Sequence, residues 1–111
     1  MIEQMGEVSV DLSKLRDYVL NDRHPRGRHK ARVFYSRLGL TLADADWLRN
    51  ALLEAAVGLR SEFRPTNADS YGCRYSLDVP VATAAGAAII RSAWIVRADD
   101  DVVRFVTCYV L

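Results

Sequence analysis

The sequence predicts an α+β fold: two to three N-terminal helices packed on one face of a C-terminal antiparallel sheet, a meander of three to four strands. Three observations predict it. Apolar residues recur at helical spacing as far as Leu59 and alternate strictly after Tyr71. Glycines stand where the helical patterns stop, at Gly39 and Gly58. Turn chemistry at Ala84-Ala85-Gly86 and Asp99-Asp100-Asp101 cuts the second half into hairpin-length runs.

Met1 to Val10 reads as a flexible arm or a short edge strand, with a weak Val8-Val10 alternation. Asp11 or Ser13 caps a first helix that turns Leu12, Leu15, Tyr18 and Val19 to one side. Asn21-Asp22 ends it, and His24, standing before Pro25, is expected to be extended. Gly27 is a turn. A second helix begins at Arg28 or His29, with Ala31, Phe34, Tyr35 and Leu38 inward and Arg28, Arg32 and Arg37 outward. Thr41 opens the third helix as a capping box with Asp44 in the place of Glu or Gln. Its stripe is Leu48, Leu52, Ala55 and Leu59. Ser61 to Ser70, with Pro65, Asn67 and Asp69, reads as a surface loop.

In the first sheet segment Cys73, Tyr75, Leu77 and Val79 face one way and Arg74, Ser76 and Asp78 the other. Pro80 weakens its far end or sets it at an edge. Ala87 to Arg97 and Val102 to Val110 follow as strands.

The chain has 111 residues, half of them hydrophobic and 26% charged, which is enough for one domain, residues 1–111, and one core. No run reaches the ~20 apolar residues of a membrane helix, and no secretory signal opens the chain. The expectation is a soluble, cytoplasmic protein with no membrane partner. Cys73 and Cys108 read as small buried hydrophobes, with a disulfide only if their strands adjoin. Cys and His are too few at ligand spacing for a structural zinc site, and no cofactor is expected.

Net charge is only +1, but the charge is segregated. Arg23, Arg26, Arg28, Lys30, Arg32 and Arg37 fall together with no acid between them, and both histidines, His24 and His29, lie inside that stretch. Such a patch attracts phosphate whatever the total charge. Histidine suits proton transfer near neutral pH. The bland alternative is a solvated helix start. Arg91 sits inside an apolar strand and needs a partner or a ligand, and Asp78 could be that partner. By alternation Thr107 and Tyr109 share a face with Val103 and Phe105. A two-residue hairpin loop would set Ser92 across from Thr107. A one-residue bulge would instead bring Arg91 beside Thr107 and Tyr109. The open edge of the last strand could pair with a second copy or an inhibitor.

Leu15-Arg16-Asp17-Tyr18-Val19-Leu20-Asn21, the run His24 to Phe34, Arg91 to Arg97, and Val106-Thr107-Cys108-Tyr109 together resemble an uncharacterised bacterial domain family. That family occurs as small stand-alone proteins and at the C-termini of larger toxin-like chains. The layout also resembles the metal-independent RNases and toxins grouped with barnase, EndoU, the RNase colicins and RelE. The resemblance implies RNA cleavage by 2′-hydroxyl attack on phosphate and a cognate antitoxin or immunity protein as partner. His24 or His29 would then be general base or acid, and Lys30 and Arg91 would stabilise phosphoryl charge. Thr107 or Tyr109 would orient the reacting groups, and Arg26, Arg28, Arg32 and Ser92 would bind RNA. The alternatives are a non-enzymatic protein-interaction module and an RNA-binding domain.

Overall fold

A computed structural model describes residues 6–111. Helices fill the first half, and a five-stranded sheet of order β1-β5-β4-β3-β2 is completed by the second. The elements are β1 (Val8–Ser9), α1 (Leu12–Lys14), α2 (Arg28–Leu38), α3 (Ala45–Gly58), β2 (Arg64–Asp69), β3 (Gly72–Thr83), β4 (Gly86–Arg97) and β5 (Val103–Val110). β2 to β5 form the expected antiparallel meander, while β1 pairs parallel with the start of β5. The arm's first five residues lie outside the described residues.

Asp11 caps α1, its carboxylate accepting from the Ser13 N–H at 3.0 Å. The helix runs on as a π-helical turn over Leu15–Val19, where the Leu20 N–H donates to the Leu15 carbonyl. Gly27 then lets the chain pass close to that turn. A Cβ there would stand 2.3 Å from the Tyr18 carbonyl oxygen, so a side chain is excluded by contact and not by backbone angle. α2 ends at Gly39, whose φ of 67° is the left-handed cap that glycine adopts without strain. The Thr41–Asp44 box forms: Asp44 accepts from the Thr41 N–H at 2.8 Å and from its hydroxyl at 3.2 Å. A single 3₁₀ turn, Leu42–Asp44, precedes α3.

The helices cover one sheet face. α2 packs on β4 and β5, and α3 on β1 and β3. Leu15, Phe34, Leu48 and Leu52 meet Leu77, Ile90, Trp94 and Phe105 in one core. Trp94 is the centre of it, edge-on to Phe63 and Phe105 at 5.8 and 5.4 Å.

Several expectations are corrected. The segment expected as a loop is a 3₁₀ turn, Arg60–Glu62, followed by β2. Both faces of β2 are exposed, so it carries no apolar alternation to announce it. Tyr35 points outward and is 64% exposed. Cys73 is exposed, and β4 separates its strand from that of Cys108, so both thiols are free. The bulge at Val106 reverses parity along β5. Val103, Phe105 and Cys108 face the core, and Thr107 and Tyr109 face the other way.

Candidate functional site

Successive side chains advance about 100° around a helix. Ala31, Phe34 and Leu38 define the buried stripe of α2. Lys30 and Arg37 therefore lie along one flank of that stripe, and Arg28 and Arg32 along the other. The first flank faces β5. Lys30 Nζ donates to Thr107 Oγ1 at 3.1 Å, and Arg37 Nη1 donates to the Leu111 carbonyl at 3.4 Å. The Lys30 ammonium stands 5.3 Å from the Tyr18 ring centroid and 5.8 Å from that of Tyr109. Both distances are within cation–π reach. Among the described residues no carboxylate pairs with it. Lys14 Nζ donates to the Phe105 carbonyl at 2.9 Å. It joins Tyr18, Lys30, Val106 and Thr107 around a cleft of about 320 Å³.

The bulge decides what lies beyond Lys30. It sets Tyr109 opposite Arg91 and Thr107 opposite Ala93. Arg91, Thr107 and Tyr109 thus share the face that the helices leave uncovered. Arg91 is held by Asp78 in a bidentate pair, both bonds at 2.9 Å, and Arg64 adds a third at 3.1 Å. The Asp78 carboxyl is held below the usual carboxylate range, first by the Arg91 hydrogen bond, against the cost of desolvation. Arg91 is raised in turn, chiefly by Asp78, with a smaller contribution from the Tyr109 hydroxyl. The chain offers a row across the sheet: Lys30 with Thr107, then Tyr109, Arg91, Asp78 and Arg64.

The remaining candidates fall elsewhere. His24 Nδ1 accepts from the backbone N–H groups of Arg26 and Gly27, both at 3.0 Å, and its ring is edge-on to Tyr18 at 4.7 Å. That lone pair closes the turn before α2, so the neutral ring carries its proton on Nε2. His24 also sits within a run of turns, its carbonyl accepting from the Arg28 N–H at 3.0 Å. His29 is exposed on the helix side opposite the core. Arg26, Arg28 and Arg32 are exposed, the last two on the flank of α2 away from Lys30. Ser92 is corrected most sharply. It has no exposure, donates to the Leu77 carbonyl at 2.7 Å and accepts from Trp94 Nε1 at 2.8 Å. It has no surface to offer a nucleic acid. Burial pushes the Cys108 thiol up to about 12, which removes a thiolate from the chemistry near neutral pH.

Lys14 and Tyr18 also line the cleft beside Lys30, and sequence reasoning did not single them out as candidates. A signal existed: Lys14 and Lys30 are the only lysines among the fifteen Lys and Arg residues, and both reach β5.

The class is therefore an α+β unit with helices on one sheet face and a cationic, aromatic cluster at the border of the other. A family model described as a domain of unknown function, DUF6883, matches residues 1–111, and the chain belongs to that family. Its fold is shared with a chain of a contact-dependent growth inhibition toxin–immunity protein complex from Klebsiella pneumoniae 342. The TM-score is 0.70 at 18% identity, covering 92% of this chain and 98% of that one. No curated protein matches the sequence. Among the described residues no helix is long and apolar enough to cross a membrane.

Proposed function

We propose that this chain is an RNA-cleaving toxin domain with its reaction centre at the Lys30–Thr107–Tyr109–Arg91 row. One observation carries the reading: a half-buried ammonium, fixed by a hydroxyl and two aromatic rings, has no carboxylate partner among the described residues. A cation held in this way is suited to a phosphate. Fold kinship with a chain of a toxin–immunity complex supports the toxin context.

In this reading the RNA 2′-oxygen attacks the adjacent phosphorus and the P–O5′ bond breaks. The products are a 2′,3′-cyclic phosphate and a 5′-hydroxyl, so the proton lost by the 2′-oxygen ends on the 5′-oxygen. Lys30 and Arg91 offset the charge that grows on the phosphoryl oxygens. Tyr109 stands opposite Arg91 across β4 and β5, and in this reading its hydroxyl relays the proton. Thr107 aligns the ammonium. Neither histidine is cast as the proton carrier, because Nδ1 of His24 is committed to two backbone donors and His29 points to solvent. A cognate immunity protein would hold the activity in check in the producing cell.

The test is incubation of the purified chain with total RNA in excess chelator, with the product ends analysed. Fragments ending in cyclic phosphate are expected, and Tyr109→Phe should slow their formation. Intact RNA at micromolar enzyme would overturn the reading.

A further inference from the structure

The arginines on the second flank of α2 border a different feature. A cleft of about 410 Å³ lies between that flank, Leu20 and the Leu40–Leu42 segment. Its floor is Leu20, Ala31 and Leu40, and its rim is Arg32, Tyr35 and Leu42. Tyr35 and Leu42 are 64% and 47% exposed. Arg28 lies one turn before Arg32 on the same flank. Arg23, Arg26, Arg28 and Arg32 are all exposed, and among the described residues none pairs with a carboxylate. Asp22 is the one acid lining the cleft.

We propose that this cleft docks an acidic protein segment that buries one large apolar side chain among Leu20, Ala31, Leu40 and Leu42. The occupant's carboxylates pair with Arg28 and Arg32. Charge complementarity selects an acidic partner, since Arg32 on the rim and Arg28 one turn before it, both exposed and without a carboxylate partner among the described residues, outnumber Asp22, the one acid of the lining. The apolar floor favours protein over RNA: Tyr35 is the one ring of the lining, and Leu20, Ala31 and Leu40 offer a nucleobase neither a stacking face nor a side-chain hydrogen bond. The volume suits a single anchor, and the exposed Tyr35 and Arg32 beside it are residue types enriched at interfaces. The partner would sit on the flank of α2 away from Lys30. The inference deepens the partner half of the proposed function but does not need cleavage to be correct.

The experiment uses fluorescence anisotropy with the full chain and three labelled probes. One is a nine-residue peptide with a central Trp flanked by Glu and Asp. The second is its counterpart with Lys at every acidic position. The third is a nine-nucleotide oligouridine with 2′-O-methyl groups, which cannot be cleaved. The acidic peptide is expected to bind at least tenfold more tightly than the lysine peptide. Arg32→Glu and Leu42→Ser should each weaken it at least fivefold, and Lys30→Ala should leave it unchanged. These substitutions fall on exposed side chains, and melting curves check that the fold persists. Equal binding of the two peptides, no binding of either, or loss through Lys30→Ala would overturn the docking site. Loss of oligouridine binding through Arg32→Glu would overturn it in favour of an RNA surface. Loss of oligouridine binding through Lys30→Ala alone concerns the reaction centre, supports the separation of the two flanks and leaves the peptide result to stand by itself.

Discussion

His24 closes the turn that leads into α2 by its contacts. Its Nδ1 accepts from Arg26 and Gly27, and its ring braces Tyr18, which in turn borders Lys30. Loss of a side-chain acceptor at a helix start costs about 1 kcal/mol. His24→Ala should therefore lower stability by about that amount in urea melts, and His24→Asn, which keeps an acceptor, should recover most of it. Equal stability of all three would refute the turn-closing role. Ser92 makes a parallel case inside the core. Ser92→Ala leaves the Trp94 indole N–H and the Leu77 carbonyl without their hydroxyl partner. The cost should be about 1–3 kcal/mol, with RNA affinity unchanged. An RNA-binding defect at unaltered stability would restore the surface role expected from alternation alone.

At the scale of elements, two close fits place the cluster. The first is the contact between the π-helical turn and the start of α2. Gly27→Ala forces a methyl group against the Tyr18 carbonyl. Overpacking of this kind costs about 1–3 kcal/mol. It should also move Tyr18 away from Lys30, so cleavage should fall further than stability alone explains. Unchanged melting and unchanged cleavage would contradict the fit. The second is the bulge at Val106, which carries Thr107 and Tyr109 onto the face of Arg91.

The sequence made some of these elements legible and hid others. The Thr41–Asp44 box, the Gly39 cap and the β3–β4 turn follow from local chemistry and were readable. The bulge stood as one of two registers, and the one that brings Arg91 beside Tyr109 is the one formed; sequence did not choose between them, because Val103, Phe105, Thr107 and Tyr109 continue an unbroken alternation, and a skipped residue leaves no mark in the pattern. β2 was unreadable because neither of its faces is buried. The basic stretch misled in another way. Charges adjacent in sequence are spread around a helix, so Lys30 goes to the sheet while Arg28 and Arg32 go to the opposite flank.

At the scale of the whole molecule, helices shield one sheet face and the other keeps its charge. Asp69, Asp78 and Asp100 each pair with an arginine, and each carboxyl is held below its ordinary value, mainly by that arginine's hydrogen bond. A lowered folded value means stability that is fully present above the unfolded carboxylate value of about 3.9. It is lost as pH falls through the lower folded values. The melting temperature should therefore be flat from neutrality to about pH 5 and fall in acid. Asp78→Asn should lower it at neutral pH and shrink the acid fall, since its paired state no longer has a proton to take up. An acid limb unchanged by Asp78→Asn would remove this pair from the account of stability.

The central claim is that the ammonium of Lys30, and not the arginine-rich stretch as a whole, faces the reacting phosphate. It is tested most directly by single-turnover cleavage of RNA in chelator by the wild-type chain, Lys30→Ala and Arg28→Ala. Loss of one such charge at a reaction centre is worth about 10²–10³ in rate. Lys30→Ala is expected to lose that much, and Arg28→Ala to stay within about threefold, the scale of one exposed backbone contact. Equal losses in the two variants, or full activity in Lys30→Ala, would contradict it.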